Sequence, residues 1–169
     1  MTGPPGPDDA AADAIRLLVA RGLTVGTAES LTGGLVAAAL TTVAGASAAF
    51  RGAIVAYAAD LKASLLTVPE SLIERVGTVH AEVATAMAAG ARDRLAVDVG
   101  VATTGVAGPD PADGQPVGMV HIAVSARLPA GVRLLHRELH LAGTRSQIRE
   151  ATVRHALNLL VTALTEDNE

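Results

Sequence analysis

The chain has 169 residues, half of them apolar and 18% charged, which suits one domain with a real core and leaves no room for two. That balance excludes a disordered chain; a net charge of −4 with one Phe, one Tyr and no Trp disfavours both a phosphate-backbone surface and a base-stacking one. There is no Cys, which removes disulfide scaffolds, thiolate metal sites and Cys nucleophiles together and suits a reducing cytoplasm. The apolar runs are short and broken by Gly, Thr, Asp or Arg, so no membrane helix is expected. Met1 to Asp9 is rich in Pro, Gly and Asp, without the basic start and apolar stretch of a signal peptide.

In chain order, residues 1–7 read as a flexible tail and 8–169 as one folded domain. Asp8 or Asp9 caps a helix to about Ala20, with Ile15, Leu18 and Val19 on one face and Gly22 beyond its end. Leu23–Thr27 is a short β-branched strand; Glu29 to Gly34 is a Gly-rich turn, and the Ala/Leu/Val run to Thr42 is a helix. Gly45–Ala49 is a small-residue loop and Gly52–Tyr57 a second strand. Asp60 caps a short helix through Leu66, and Pro69 starts another that Gly77 ends. His80–Leu95 has helical spacing, with His80 as a cap and Arg92 and Arg94 where the helix dipole favours cations. Val97–Thr103 is an interior strand, Thr104–Pro116 a Gly/Pro/Asp-rich surface loop, and Val117–Ser125 with Val132–Leu141 a hairpin. Thr144–Thr165 closes the chain as an amphipathic helix. Strands alternating with helices predict a single three-layer α/β/α domain with a mixed, mostly parallel sheet.

Three stretches carry chemistry. In the first, Thr27 to Gly34, Ser30 and Thr32 sit with two glycines at a strand-to-helix turn, where free backbone N–H groups and the helix dipole can hold a phosphate or an oxyanion. Either Ser30 is a nucleophile at that turn, or Ser30 or Thr32 simply caps the helix. The second is Tyr57 with Lys62, the only Tyr and the only Lys; the other 12 basic residues are Arg. A lysine retained in such a composition is a candidate for deprotonation, which Arg cannot undergo. The third is Thr104-Gly105-Val106-Ala107-Gly108-Pro109-Asp110, a small-residue loop leaving a strand end, where backbone can approach a ligand or merely turn. Arg145 and Arg149, four apart at the start of the last helix, are either solvated or a phosphate clamp. His136 and His140 fall on an alternating strand, and His121 and His155 in apolar surroundings. No His or carboxylate spacing suggests a metal, and no cofactor is expected.

These motifs in this order resemble the CinA C-terminal domain family, the nicotinamide-nucleotide amidases, from about Leu18 to the last helix. The resemblance rests on Thr27-Ala28-Glu29-Ser30 with Thr32-Gly33-Gly34, Val43-Ala44-Gly45-Ala46-Ser47, Tyr57 with Lys62, and Gly77 to Val83. It continues through Thr104 to Asp110, Pro116-Val117-Gly118 and Gly143-Thr144-Arg145. It implies hydrolysis of the carboxamide of nicotinamide mononucleotide, with Ser30 as nucleophile, Lys62 as general base and Tyr57 as the third catalytic member. The substrate contacts it implies are Glu29, Thr32, Gly33, Gly34, Ser47, Thr104, Gly105, Ala107, Gly108 and Arg145. The implied oxyanion donors are the Thr32 to Gly34 backbone. Leu31 stands where the family usually carries Cys, and residues 110–115 lack its usual Gly- and Glu-containing loop. The implied partner is a small nucleotide, with no nucleic acid and no membrane; a homo-oligomer is compatible with the sequence, and the setting is cytoplasmic. The other class of reading is a non-catalytic nucleotide-binding or interaction module of the competence/damage-inducible type.

Overall fold

The computed structural model describes residues 7–165. The expected tail falls outside these except for Pro7, which opens the first helix; residues 166–169 also lie outside. The elements are α1 (Pro7–Arg21), β1 (Val25–Glu29), α2 (Leu35–Thr42), a 3₁₀ turn (Ala46–Ala48), β2 (Phe50–Val55), α3 (Ala59–Leu66) and α4 (Glu70–Val76). They continue with α5 (Ala81–Arg94), β3 (Val99–Gly105), β4 (Met119–Leu128), β5 (Gly131–His140) and α6 (Arg145–Thr165). One five-stranded sheet has the order β2-β1-β3-β4-β5. β1 pairs in parallel with β2 and β3, and β3–β4 and β4–β5 are antiparallel, so β4 alone runs against the other four. This is the mixed three-layer α/β architecture that the strand–helix alternation predicts.

Strand alternation sorts the core into two unlike halves. One face presents Val25, Val99, Val101, Val120, Ile122 and Val124 to Leu18 of α1, Leu40 of α2 and Ile148, Leu157 and Leu160 of α6. Each large side chain buried there contributes roughly 1.5–3 kcal/mol. The other face offers Ala28, Ala102 and Ala123 to Leu66, Val83 and Met87, with α3 and α4 set beside α5. Small residues let α5 approach closely: a Cβ on Gly100 would lie 2.0 Å from the Ala88 carbonyl oxygen.

Several strand bounds differ from those expected. β1 runs two residues further than Leu23–Thr27 and ends on Glu29, because this central strand is buried along its whole length and the carboxylate is satisfied inside. β2 stops at Val55, two residues before Tyr57, so Tyr57 lies beyond the strand. His80 caps α5 as expected, its Nδ1 accepting from the Glu82 N–H at 3.2 Å.

Candidate active site

The site is built outside the carboxyl ends of the parallel strands, where open α/β sheets leave a crevice. The backbone there is fixed on both sides of β1. Ser30 N–H donates to the Thr103 carbonyl at 3.1 Å and Ala56 N–H to the Glu29 carbonyl at 2.9 Å. Ser30 and Ala56 are thereby set beside one another just past the sheet.

The turn between β1 and α2 differs from its sequence reading. Neither Ser30 nor Thr32 caps α2; the buried Glu29 carboxylate does. Its Oε2 accepts from Gly34 N–H at 2.9 Å and Val36 N–H at 3.1 Å, and its Oε1 from Ala37 N–H at 2.8 Å. The hydroxyls of Thr27 and Thr32 add bonds of 3.1 and 2.7 Å. Since the Thr32 hydroxyl donates to Glu29, its 2.7 Å contact with the Thr103 hydroxyl carries the Thr103 proton. The α2 N-terminus, expected to receive an anion, is filled by the chain's own carboxylate. Two of the expected oxyanion donors are also committed: Gly33 N–H to the Ser30 carbonyl at 3.1 Å, and Gly34 N–H to Glu29. Among the described residues, the N–H groups of Leu31 and Thr32 have no partner in this turn. Arg149 reaches in from α6 and donates to the carbonyls of Leu31 at 2.9 Å and Thr32 at 3.2 Å, so it braces this turn.

Lys62 lies one helical turn before Leu66 on the inward face of α3 and is 1% exposed. Its Nζ is 3.0 Å from Ser30 Oγ, 2.8 Å from the Ala56 carbonyl and 3.1 Å from the Tyr57 carbonyl. Burial penalises the ammonium and pulls its pKa from 10.5 to about 8, partly opposed by the negative charge of Asp113. A neutral amine has two N–H donors and one lone pair. With both donors spent on the two carbonyls, the lone pair is left for the Ser30 hydroxyl proton. Ser30 is itself 8% exposed and opens onto a cavity of about 180 Å³.

That cavity is lined by Ser30, Tyr57, Gly105, Ala107 and Arg145 from the expected set, together with Leu31, Thr78, Val79, Ala112 and Asp113. The Tyr57 hydroxyl accepts from Arg145 Nη2 at 3.0 Å; it is the Tyr57 carbonyl that holds Lys62. Arg145 Nη1 donates to the Gly108 carbonyl at 2.6 Å, so Gly108 supports the cavity wall through Arg145. The Thr104 hydroxyl supports it by donating to the Thr78 carbonyl at 2.8 Å. Glu29, Thr32, Gly33 and Gly34 form the turn around Ser30 without lining the cavity. Ser47 is a correction: it sits exposed in the 3₁₀ turn before β2, at the amino ends of the parallel strands and away from the cavity. Asp113 was not singled out from the sequence, although Asp113-Gly114 is a hairpin signal. Ala112 and Gln115 exchange backbone bonds of 3.2 and 2.8 Å around it, and both central residues have positive φ. A larger concavity, about 470 Å³ along the start of α6, has no nucleophile–base pair in its lining. No group of His, Asp or Glu suited to a metal occurs among the described residues.

A family model described as the CinA C-terminal domain matches residues 8–164. A CinA-like protein of Frankia casuarinae is 51% identical over 144 residues, covering 85% of this chain and 32% of that protein. A putative competence-damage inducible protein of Lactiplantibacillus plantarum is 42% identical over 155 residues, covering 92% and 36%. The chain thus spans about a third of the length of the curated relatives it matches. Among solved structures, the competence/damage inducible protein CihA from Agrobacterium tumefaciens superposes with a TM-score of 0.88 at 41% identity, covering 98% of this chain and all of that one. A CinA superfamily protein from Enterobacter cloacae gives 0.92 at 27% identity, covering 98% and 96%. With the family model spanning nearly all of the described residues and the fold shared throughout, the chain belongs to the CinA C-terminal domain family.

Proposed function

We propose that the chain is an amidase that converts nicotinamide mononucleotide and water to nicotinic acid mononucleotide and ammonia. The observation that carries this reading is the buried Lys62 amine, 3.0 Å from Ser30 Oγ at the wall of a cavity and with its pKa drawn to about 8. Ser30 Oγ attacks the carboxamide carbon while its proton passes to Lys62 Nζ. The tetrahedral centre collapses, the C–N bond breaks and Lys62 returns the proton to the departing ammonia. Water then cleaves the acyl ester by the same route, releasing the acid and restoring Ser30. At pH 7 about a tenth of an amine with this pKa is neutral, which is enough for general-base catalysis. The Leu31 N–H, at the cavity wall in the turn that Arg149 braces, is the backbone donor left for the oxyanion.

Whole-ligand pockets usually measure about 300–1,000 Å³. At about 180 Å³ this cavity suits the pyridine carboxamide, with the ribosyl phosphate reaching the exposed Arg145 at the rim. Tyr57 orients Arg145 by its hydroxyl and Lys62 by its carbonyl. Pyridine nucleotide salvage in the cytoplasm is the setting this reading implies. The test is ammonia release from nicotinamide mononucleotide by the purified chain beside Ser30→Ala. Wild-type turnover with none in the variant is expected; binding of the nucleotide without turnover in either protein would make the chain a nucleotide-binding module instead.

A further inference from the structure

The cavity holds one acidic side chain that the dyad does not use. Asp113 stands at the tip of the Asp-Gly hairpin and lines the cavity opposite no other carboxylate; the other charged or titratable groups on its wall are Tyr57 and Arg145, with Lys62 behind Ser30. Its carboxylate is pinned: Thr78 donates both its N–H, at 2.7 Å, and its hydroxyl to Oδ2. Thr78 is in turn held by Thr104. Both bonds fall on one oxygen, which leaves Oδ1 without a partner among the described residues. Asp113 also occupies a left-handed backbone conformation, with φ of 52°, that the turn type requires of it. The hairpin therefore presents a fixed negative charge to the ligand, while Arg145 presents a positive one.

We infer that Asp113 is a specificity-determining residue that selects amides carried on a cationic ring, by placing its carboxylate against the positive charge of an N-ribosylpyridinium while Arg145 takes the phosphate. This rests on the amidase reading for the identity of the substrate. Quaternisation of the ring nitrogen is what separates the mononucleotide from its 1,4-dihydro form, and an exposed carboxylate held at the cavity rim by Thr78 discriminates on that difference. The same charge opposes the product, whose new carboxylate enters the cavity that Asp113 already makes negative. It also bears on Lys62, since the carboxylate favours the ammonium form.

The experiment compares nicotinamide mononucleotide with its 1,4-dihydro form, which keeps the carboxamide, ribose and phosphate and lacks the ring charge. Affinities of both are measured by calorimetry in the Ser30→Ala background, where nothing is turned over, with Asp113 kept and with Asp113→Asn or Asp113→Glu added, and thermal unfolding confirms that each variant is folded. The parent with Asp113 should prefer the cationic nucleotide by roughly two- to fivefold, the size of one exposed charge contact. Asp113→Asn should lose that preference with the dihydro affinity unchanged, and Asp113→Glu should recover part of it. With Ser30 intact, Asp113→Asn should also begin its rise of kcat/KM at lower pH, because a charge that favours protonated Lys62 has gone; a merely structural role would not move it in that direction. Equal weakening of both nucleotides, or no change in either, overturns the specificity role and leaves the amidase reading standing. If the parent binds neither nucleotide and wild type releases no ammonia, both fall together.

Discussion

Among the described residues, Glu29 and Lys62 are the two fully buried charged side chains at the carboxyl end of the sheet, and the chain treats them in opposite ways. Glu29 receives five hydrogen bonds, three of them from backbone N–H groups at the start of α2. Lys62 has two carbonyls and one hydroxyl, and no carboxylate in direct contact. A buried charge with a complete set of donors is a structural anchor; one held by neutral acceptors alone is easily discharged. On the amidase reading, the contrast explains why the first residue serves the fold and the second the chemistry, though Glu29 adjoins Ser30 in the chain and Lys62 touches its Oγ.

The largest effect should come from Lys62→Arg. Arginine keeps the positive charge but does not give up a proton at working pH, so kcat at saturating nucleotide should fall by about 10²- to 10⁴-fold. Retention of more than about a tenth would make Lys62 an electrostatic group and dissolve the contrast with Glu29. Next is Glu29→Gln, which turns an NH₂ group towards donors that need an acceptor. Urea unfolding should register a loss of about 2–4 kcal/mol; a loss below about 0.5 kcal/mol would mean that the network around α2 is not an anchor.

Lys62 also leaves a signature in stability. Its folded pKa of about 8 lies below the unfolded 10.5, so between these values the unfolded chain binds more protons. Wild-type stability, measured against Lys62→Met so that other titrations cancel, should therefore rise with pH across that window, by up to about 3 kcal/mol. No rise would mean that the amine is not desolvated. With a single Lys in the chain, no other lysine can supply such a signal. Smaller still is Arg149→Met, which frees the Leu31 and Thr32 carbonyls: about 1–2 kcal/mol of stability and a several-fold drop in kcat with little change in KM are expected. Unaltered kcat would show that the turn holds its shape without α6. Ser47→Ala, at the opposite end of the sheet, should change stability by no more than about 0.5 kcal/mol and leave kcat/KM as it was.

The sequence carried most of the fold because apolar periodicity and Gly/Pro punctuation are local signals. Every expected helix is present, and the hairpin at Leu128–Gly131 closes where Pro129 and Ala130 place it. It misjudged the end of β1 because a Glu normally marks solvent, and nothing local says that Glu29 is met by donors up to eight residues ahead. Lys62 was legible from its being the only lysine, and Ser30 from its turn. What joins them is the shared end of β1 and β2, a tertiary fact. Asp113 was missed for the same reason: its Thr78 partner lies 35 residues away. Ser47 was carried into the site by motif membership, and strand direction removes it.

The dependence of kcat/KM on pH for nicotinamide mononucleotide tests the role of Lys62 most directly, because that ratio reports the free enzyme's own base. If the buried amine activates Ser30, the rate should climb tenfold per pH unit below about 8 and level off above it, with Lys62→Arg showing no such step. A profile flat from pH 6 to 10, or one that rises only near the 10.5 of an ordinary lysine, would contradict the assignment of Lys62 as a desolvated base.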